Sequence, residues 1–215
     1  MKFIRDEEEL SHLLNSDLSW RRKELSNLKS AIIKADIPSK PVLLRALTAM
    51  CYAHFEGYIK YSMLKYFNFI TSRRLMYNEI SDVYLKNRFY AMWKASLNDS
   101  SYSSFSRFFD TITKSTCERF TKVNNLIIDP RSNLNYERLC SFCERCGVDH
   151  SGFKDDEIFV DRVLLKRRNA IAHGEDEIVS SQEMDELIDK VLSVMTRFSN
   201  LLENIIYSKA FIKSK

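Results

Sequence analysis

Only four glycines and three prolines punctuate this chain of 215 residues. A sheet-rich domain of that size turns often, and its turns draw heavily on both residue types. Their scarcity leaves long helices as the way to fold. Hydrophobic residues make up 45%, enough for a real core and too many for global disorder.

Periodicity places the helices. Residues 5–36 read as the first, with Leu10, Leu13, Leu14, Leu25, Leu28 and Ile32 as core positions. The Pro38–Pro41 segment breaks it. A second helix is expected over 42–69, where Leu44, Leu47, Cys51, Tyr58 and Ser62 recur at helical steps. A third is expected over 79–97, followed by a loop at 98–101. Residues 102–135 are the least regular, with one short helix expected near 105–113 and a turn at Asp129-Pro130. Residues 136–146 form a short helix stopped by Gly147. The next helix, 155–173, stops at Gly174. Ser180 and Glu183 have capping-box spacing before a last helix whose apolar stripe runs from Met184 through Leu187, Val191, Met195, Phe198 and Leu202 to Ile205. The fold class is therefore all-α. The expected architecture is an up-and-down bundle in a single domain, 1–215, with about 98–135 a possible insertion.

The formal net charge is +4, too mild by itself to argue for nucleic acid; local clustering carries more information. Acidic residues follow Met1–Arg5 directly, so no secretory signal is visible, and no apolar run reaches membrane-spanning length. A cytoplasmic chain without a membrane is expected. Its five cysteines are then reduced thiols, an odd number that also argues against a disulfide framework.

The chemistry concentrates in Arg168-Asn169-Ala170-Ile171-Ala172-His173-Gly174, with Lys166 and Arg167 just upstream. Asn169 and His173 share a helix face, whereas Arg168 and His173 diverge by about 140°. A tight site is easier to build if two copies of this helix meet, which makes a symmetric homodimer attractive. Arginine offers a planar fork of donors for phosphate. Histidine exchanges a proton near neutrality. The pair suits attack of an RNA 2′-hydroxyl on the adjacent phosphorus, with the nucleophile supplied by the substrate and no metal or cofactor called for. The plain alternative is a histidine that caps a helix C-terminus against its dipole.

This segment resembles the signature of the HEPN superfamily, in which an arginine, often followed by a polar residue, is separated from a histidine by four to six residues. Here four intervene, and the polar residue is Asn169. The setting is similar too, since a long amphipathic helix follows the motif. Ala53-His54-Phe55-Glu56-Gly57-Tyr58-Ile59-Lys60 resembles the early helix of the prokaryotic branch linked to toxin–antitoxin and phage-defence loci. The resemblance implies a metal-independent endoribonuclease acting as a dimer, with Arg168 and His173 as the catalytic pair and Asn169 assisting. Lys166 and Arg167 are candidate RNA contacts. An antitoxin or other restraining protein is an expected partner. The alternative is a non-catalytic helical module that binds nucleic acid or a partner protein.

Other groups are weaker candidates. Glu56 and His54 point about 200° apart on their helix, and one of them can face the arginine–histidine segment. Glu56 can pair with Arg168 or orient His173, its ordinary alternative being an ion pair with Lys60. Cys140, Cys143, Cys146 and His150 offer soft ligands in an unusual zinc spacing; buried thiols behaving as small hydrophobes are the preferred reading. The basic clusters Trp20-Arg21-Arg22-Lys23 and Arg73-Arg74 can contact an RNA backbone or simply lie in solvent. Tyr58 and Tyr61 read as core.

Overall fold

In a computed structural model, residues 4–96, 101–114, 118–128 and 133–213 are described. The expected all-α fold is present, and no strand occurs among those residues; two isolated bridges, Met76 with Arg119 and Ile80 with Ile212, tie loops together. Three long helices carry the core: α1 (Glu7–Lys34), α2 (Ser39–Ser72) and α8 (Met184–Tyr207). Each packs against the other two. α3 (Asp82–Ser96), α4 (Tyr102–Lys114), α5 (Asn125–Ile128) and α6 (Tyr136–Cys146) build a second layer. α3 packs on α4, α5 and α6, and α5 also touches α2.

Local sequence explains the element ends. Asp6 caps α1 by accepting from the Glu9 amide, and three glutamates fill the first turn. α2 begins earlier than the pattern indicated, at Ser39, because Pro41 fits inside a first turn that has no need of its N–H. Asn135 caps α6, and Gly147 ends it in the left-handed conformation at φ 76°. The capping box at Ser180 is only half made. Ser180 accepts from the Gln182 amide, but the Glu183 carboxylate goes to Arg167 instead of turning back, so a short 3₁₀ turn (Ser181–Glu183) precedes α8. The middle region holds more helix than expected, since α4 runs the full Tyr102–Lys114. The expected turn at Asp129-Pro130 and most of the 98–101 loop lie outside the described residues.

The expected helix over 155–173 is not uniform. A 3₁₀ turn (Ser151–Asp156) leads into a π-helical stretch (Phe159–Lys166), which passes directly into α7 (Arg167–Ala172). π segments are uncommon and concentrate at functional sites. The wider winding rotates less per residue. The face that α7 turns towards α2 is therefore not the one an uninterrupted α-helix would turn.

The basic cluster on α1 behaves differently from either expectation for Arg21. Leu14, Leu18, Arg21 and Leu25 form one buried stripe, with Arg21 8% exposed. Its guanidinium pairs with Asp17 at 2.6 Å, lies over the Trp20 ring and donates to the His54 carbonyl. Gly57 on α2 makes room, because a Cβ there would stand 2.9 Å from Arg21 Nη1. Arg73 is also structural: it lies over Phe69 and donates to the Arg5 carbonyl. Tyr58 is fully buried and Tyr61 packs beside the core.

Candidate functional site

α2 supplies the floor of the site. Arg45, Tyr52 and Glu56 stand seven and four residues apart and share one helix face. α7 and the π segment pack against α2. The Arg168 guanidinium lies over the Tyr52 ring, 4.0 Å from its centroid. Its Nη2 donates to the Asn133 side-chain oxygen at 2.9 Å. Tyr52 in turn accepts a hydrogen bond from the Leu134 amide at 2.7 Å, and the Tyr136 amide donates to Asp161 of the π segment. The segment before α6 is thus fastened to both helices that frame Arg168. Burial raises the Tyr52 pKa, as does the charge of Glu56; Arg168 and the Leu134 amide act in the opposite sense.

His173 caps the end of α7. The Gly174 amide donates to Ile171 and the Glu175 amide to Ala170, a Schellman closure with Gly174 at φ 79°. Arg45 then grips the following segment, donating to the Glu175 carbonyl at 2.8 Å and lying 3.5 Å from Asp176. The turn is therefore fixed at both ends while the imidazole stays exposed. Asn169 is half-buried one turn earlier, and its carbonyl accepts from the His173 amide. Within one chain the side chains of Arg168 and His173 make no hydrogen bond or ring contact with each other.

The two adjacent arginines have opposite surroundings. Arg167 reaches Glu183 at 2.8 Å and Glu177 at 3.3 Å, which ties α7 to the start of α8. Both carboxylates engage its guanidinium. Arg168 has an aromatic face and a neutral amide, and among the described residues no carboxylate forms an ion pair with it within 4.0 Å. Lys166 is exposed.

The remaining candidates separate. Glu56 lies one turn from Tyr52 but bonds Lys60 at 3.1 Å, so the expected Glu56–Arg168 pair is not formed. His54 is on the other side of α2, 3% exposed. Its Nε2 lies 3.0 Å from Glu24, and its ring meets Trp20 edge-on. It cannot face the arginine–histidine turn. Cys143 and Cys146 are sealed in the core; burial pushes Cys143 up to about 12 and Cys146 well above its usual value. Cys140 is half-buried, and His150 points to Glu144 at 3.7 Å. No three metal-ligating groups converge among the described residues.

Sequence reasoning missed Tyr52, Asn133 and Arg45. Tyr52 had a partial signal, as an aromatic one turn before Glu56 on the helix already suspected. Asn133 had none, because it reaches Arg168 from 35 residues away through a non-helical segment.

The all-α bundle, with an arginine–histidine turn ahead of its last helix, is consistent with a HEPN-type helical domain. A model of the family described as RiboL-PSP-HEPN matches residues 16–204, and the chain belongs to that family. No curated protein and no solved structure matches the chain. The family points to an RNA-related role. Among the described residues, no helix is long and apolar enough to cross a membrane.

Proposed function

We propose that the protein is a metal-independent endoribonuclease whose composite site forms where two copies meet. The observation that carries this reading is the contrast between Arg167 and Arg168. A cation with no carboxylate partner among the described residues, held by a ring and an amide, keeps its charge for an incoming phosphate. Exposed imidazole on a rigid helix end supplies the proton carrier.

In this reading the substrate 2′-hydroxyl attacks its own 3′-phosphorus. His173 handles a proton on the 2′-oxygen or on the leaving 5′-oxygen. Arg168 stabilises the charge that builds on the phosphate, and Asn169, on the face of His173, assists in placing the scissile group. The products are a cyclic phosphate and a 5′-hydroxyl. Lys166 contacts the strand, Arg167 holds the helix in place, and Glu56 acts only through Tyr52. Arg168 of one protomer meets His173 of its partner in a homodimer, because the two diverge on one helix. Such an enzyme harms its own host, so its setting is a toxin–antitoxin or anti-phage system with a restraining protein as partner.

The test is incubation of purified protein with RNA in excess chelator, beside Arg168→Ala and His173→Ala. Cleavage by the wild type that both variants lose by at least 100-fold is expected. RNA binding without cleavage would replace the enzyme with a non-catalytic binding module.

A further inference from the structure

Two neighbouring cavities in the α3–α6 layer are not used by the site above. One, of about 470 Å³, lies between α3 and the 118–127 segment. The other, of about 370 Å³, lies between α3 and α6. They adjoin at α5, where Ile127 lines the first and Leu126 the second. Their linings hold six cations, Arg88, Lys94, Arg119, Lys122, Arg138 and Arg145, against the carboxylates Glu118 and Glu137. That surplus of four equals the formal net charge of the whole chain, +4. The cations and acids of the rest of the chain therefore balance in number.

Two of these cations bond only neutral carbonyls and two are exposed lysines. Arg145 donates to the carbonyls of Leu126 and Ile127, and Arg119 to that of Arg74, so both keep their charge while satisfying neutral acceptors. Arg88 pairs with Glu118 at 2.7 Å, so the two cancel and the surplus rests on the other groups. Lys94 and Lys122 are exposed. Tyr90, half-buried between Lys94 and Arg145, gives the second cavity an aromatic wall. Glu137 and Arg138 stand in the first turn of α6, a few residues beyond Asn133. One end of the groove therefore abuts the segment that holds Arg168.

We infer that this groove is a docking track for single-stranded RNA. A cationic channel with aromatic surface follows a phosphate backbone and accepts unstacked bases. Cavities of this size admit splayed nucleotides and exclude a duplex. The choice of RNA over another polyanion rests on the ribonuclease reading of Arg168 and His173; the groove itself does not.

The test uses the full chain carrying His173→Ala, so that the probe survives, and a fluorescein-labelled mixed-sequence 20-nucleotide RNA. Anisotropy is followed across a salt series. Lys94→Glu with Lys122→Glu should weaken binding at least tenfold and flatten the log–log salt slope by about 1.4, from two lost phosphate contacts at about 0.7 each. Lys34→Glu with Lys154→Glu, both exposed and outside the groove, should stay within about twofold. Equal loss from both pairs, or none from the groove pair, overturns the inference. Displacement of the RNA by polyglutamate as readily as by unlabelled RNA also overturns it and assigns the groove to an acidic protein. Failure of the nuclease reading shows separately, as intact RNA after incubation with the unsubstituted chain.

Discussion

The guanidinium of Arg168 stacks 4.0 Å from the centre of the Tyr52 ring, joining the first turn of α7 to the middle of α2. The ring orients a cation without neutralising it. A lysine keeps the charge but loses both the planar stack and the fork. Arg168→Lys should therefore lower cleavage by about 100-fold, while Arg167→Ala should keep it within about tenfold, because Arg167 is engaged with Glu177 and Glu183. Initial rates on a labelled RNA measure both.

Tyr52→Phe separates ring from hydroxyl. The ring under Arg168 remains, but the Leu134 amide loses its acceptor. Leaving a buried donor unpaired costs about 1–3 kcal/mol. The expected outcome is a lower urea midpoint with cleavage reduced only severalfold. Tyr52→Leu, lacking the ring, should lose activity beyond what its stability loss explains.

Much of this fold was legible in the chain. Few turn residues meant long helices, and the stripe from Met184 to Ile205 marked α8 because its apolar residues repeat at helical spacing. Gly147 and Gly174 marked helix ends, since both need positive φ. The arginine and histidine were legible as a local motif. The π stretch was not, because winding depends on backbone hydrogen bonding that side-chain spacing does not encode. Asn133 was invisible because its contact with Arg168 is purely tertiary. Arg21 was misjudged as a surface charge, although its position in the Leu14–Leu18–Leu25 stripe, with a glycine available on α2, carried the signal.

That buried cation gives a stability prediction. Asp17→Ala strands the Arg21 guanidinium beneath Trp20 and should destabilise the fold by about 3–5 kcal/mol. Removing an exposed pair, as in Asp185→Ala opposite Lys29, should change it by less than about 1 kcal/mol. Gly57→Ala should also destabilise, by about 1–3 kcal/mol, since its methyl meets the Arg21 guanidinium. Chemical denaturation compares the three.

His54 makes stability depend on pH. Burial lowers its pKa, and the Arg21 charge lowers it further; Glu24 and Asp17 oppose this. A depressed histidine pKa means that the unfolded chain takes up the proton first. Its contribution is neutral above the unfolded value of about 6.5 and turns destabilising as pH falls below it, towards the lower folded value. Wild-type denaturation midpoints should drop between pH 7 and 5.5 more steeply than those of His54→Gln.

Gly174→Ala places a methyl-bearing residue at φ 79° with open space around it. The strain is conformational alone, about 1 kcal/mol. Because the same turn presents His173, cleavage should fall more than the thermal midpoint suggests, and Gly174→Asn should recover part of both.

The composite site is tested most directly by a mixed dimer, purified through two tags, with Arg168→Ala in one protomer and His173→Ala in the other. Each homodimer is expected to be inactive. The mixed dimer keeps one intact arginine–histidine pair across the two-fold axis, and roughly half of the wild-type cleavage rate is predicted. A mixed dimer as inactive as its parents would contradict a site shared between protomers.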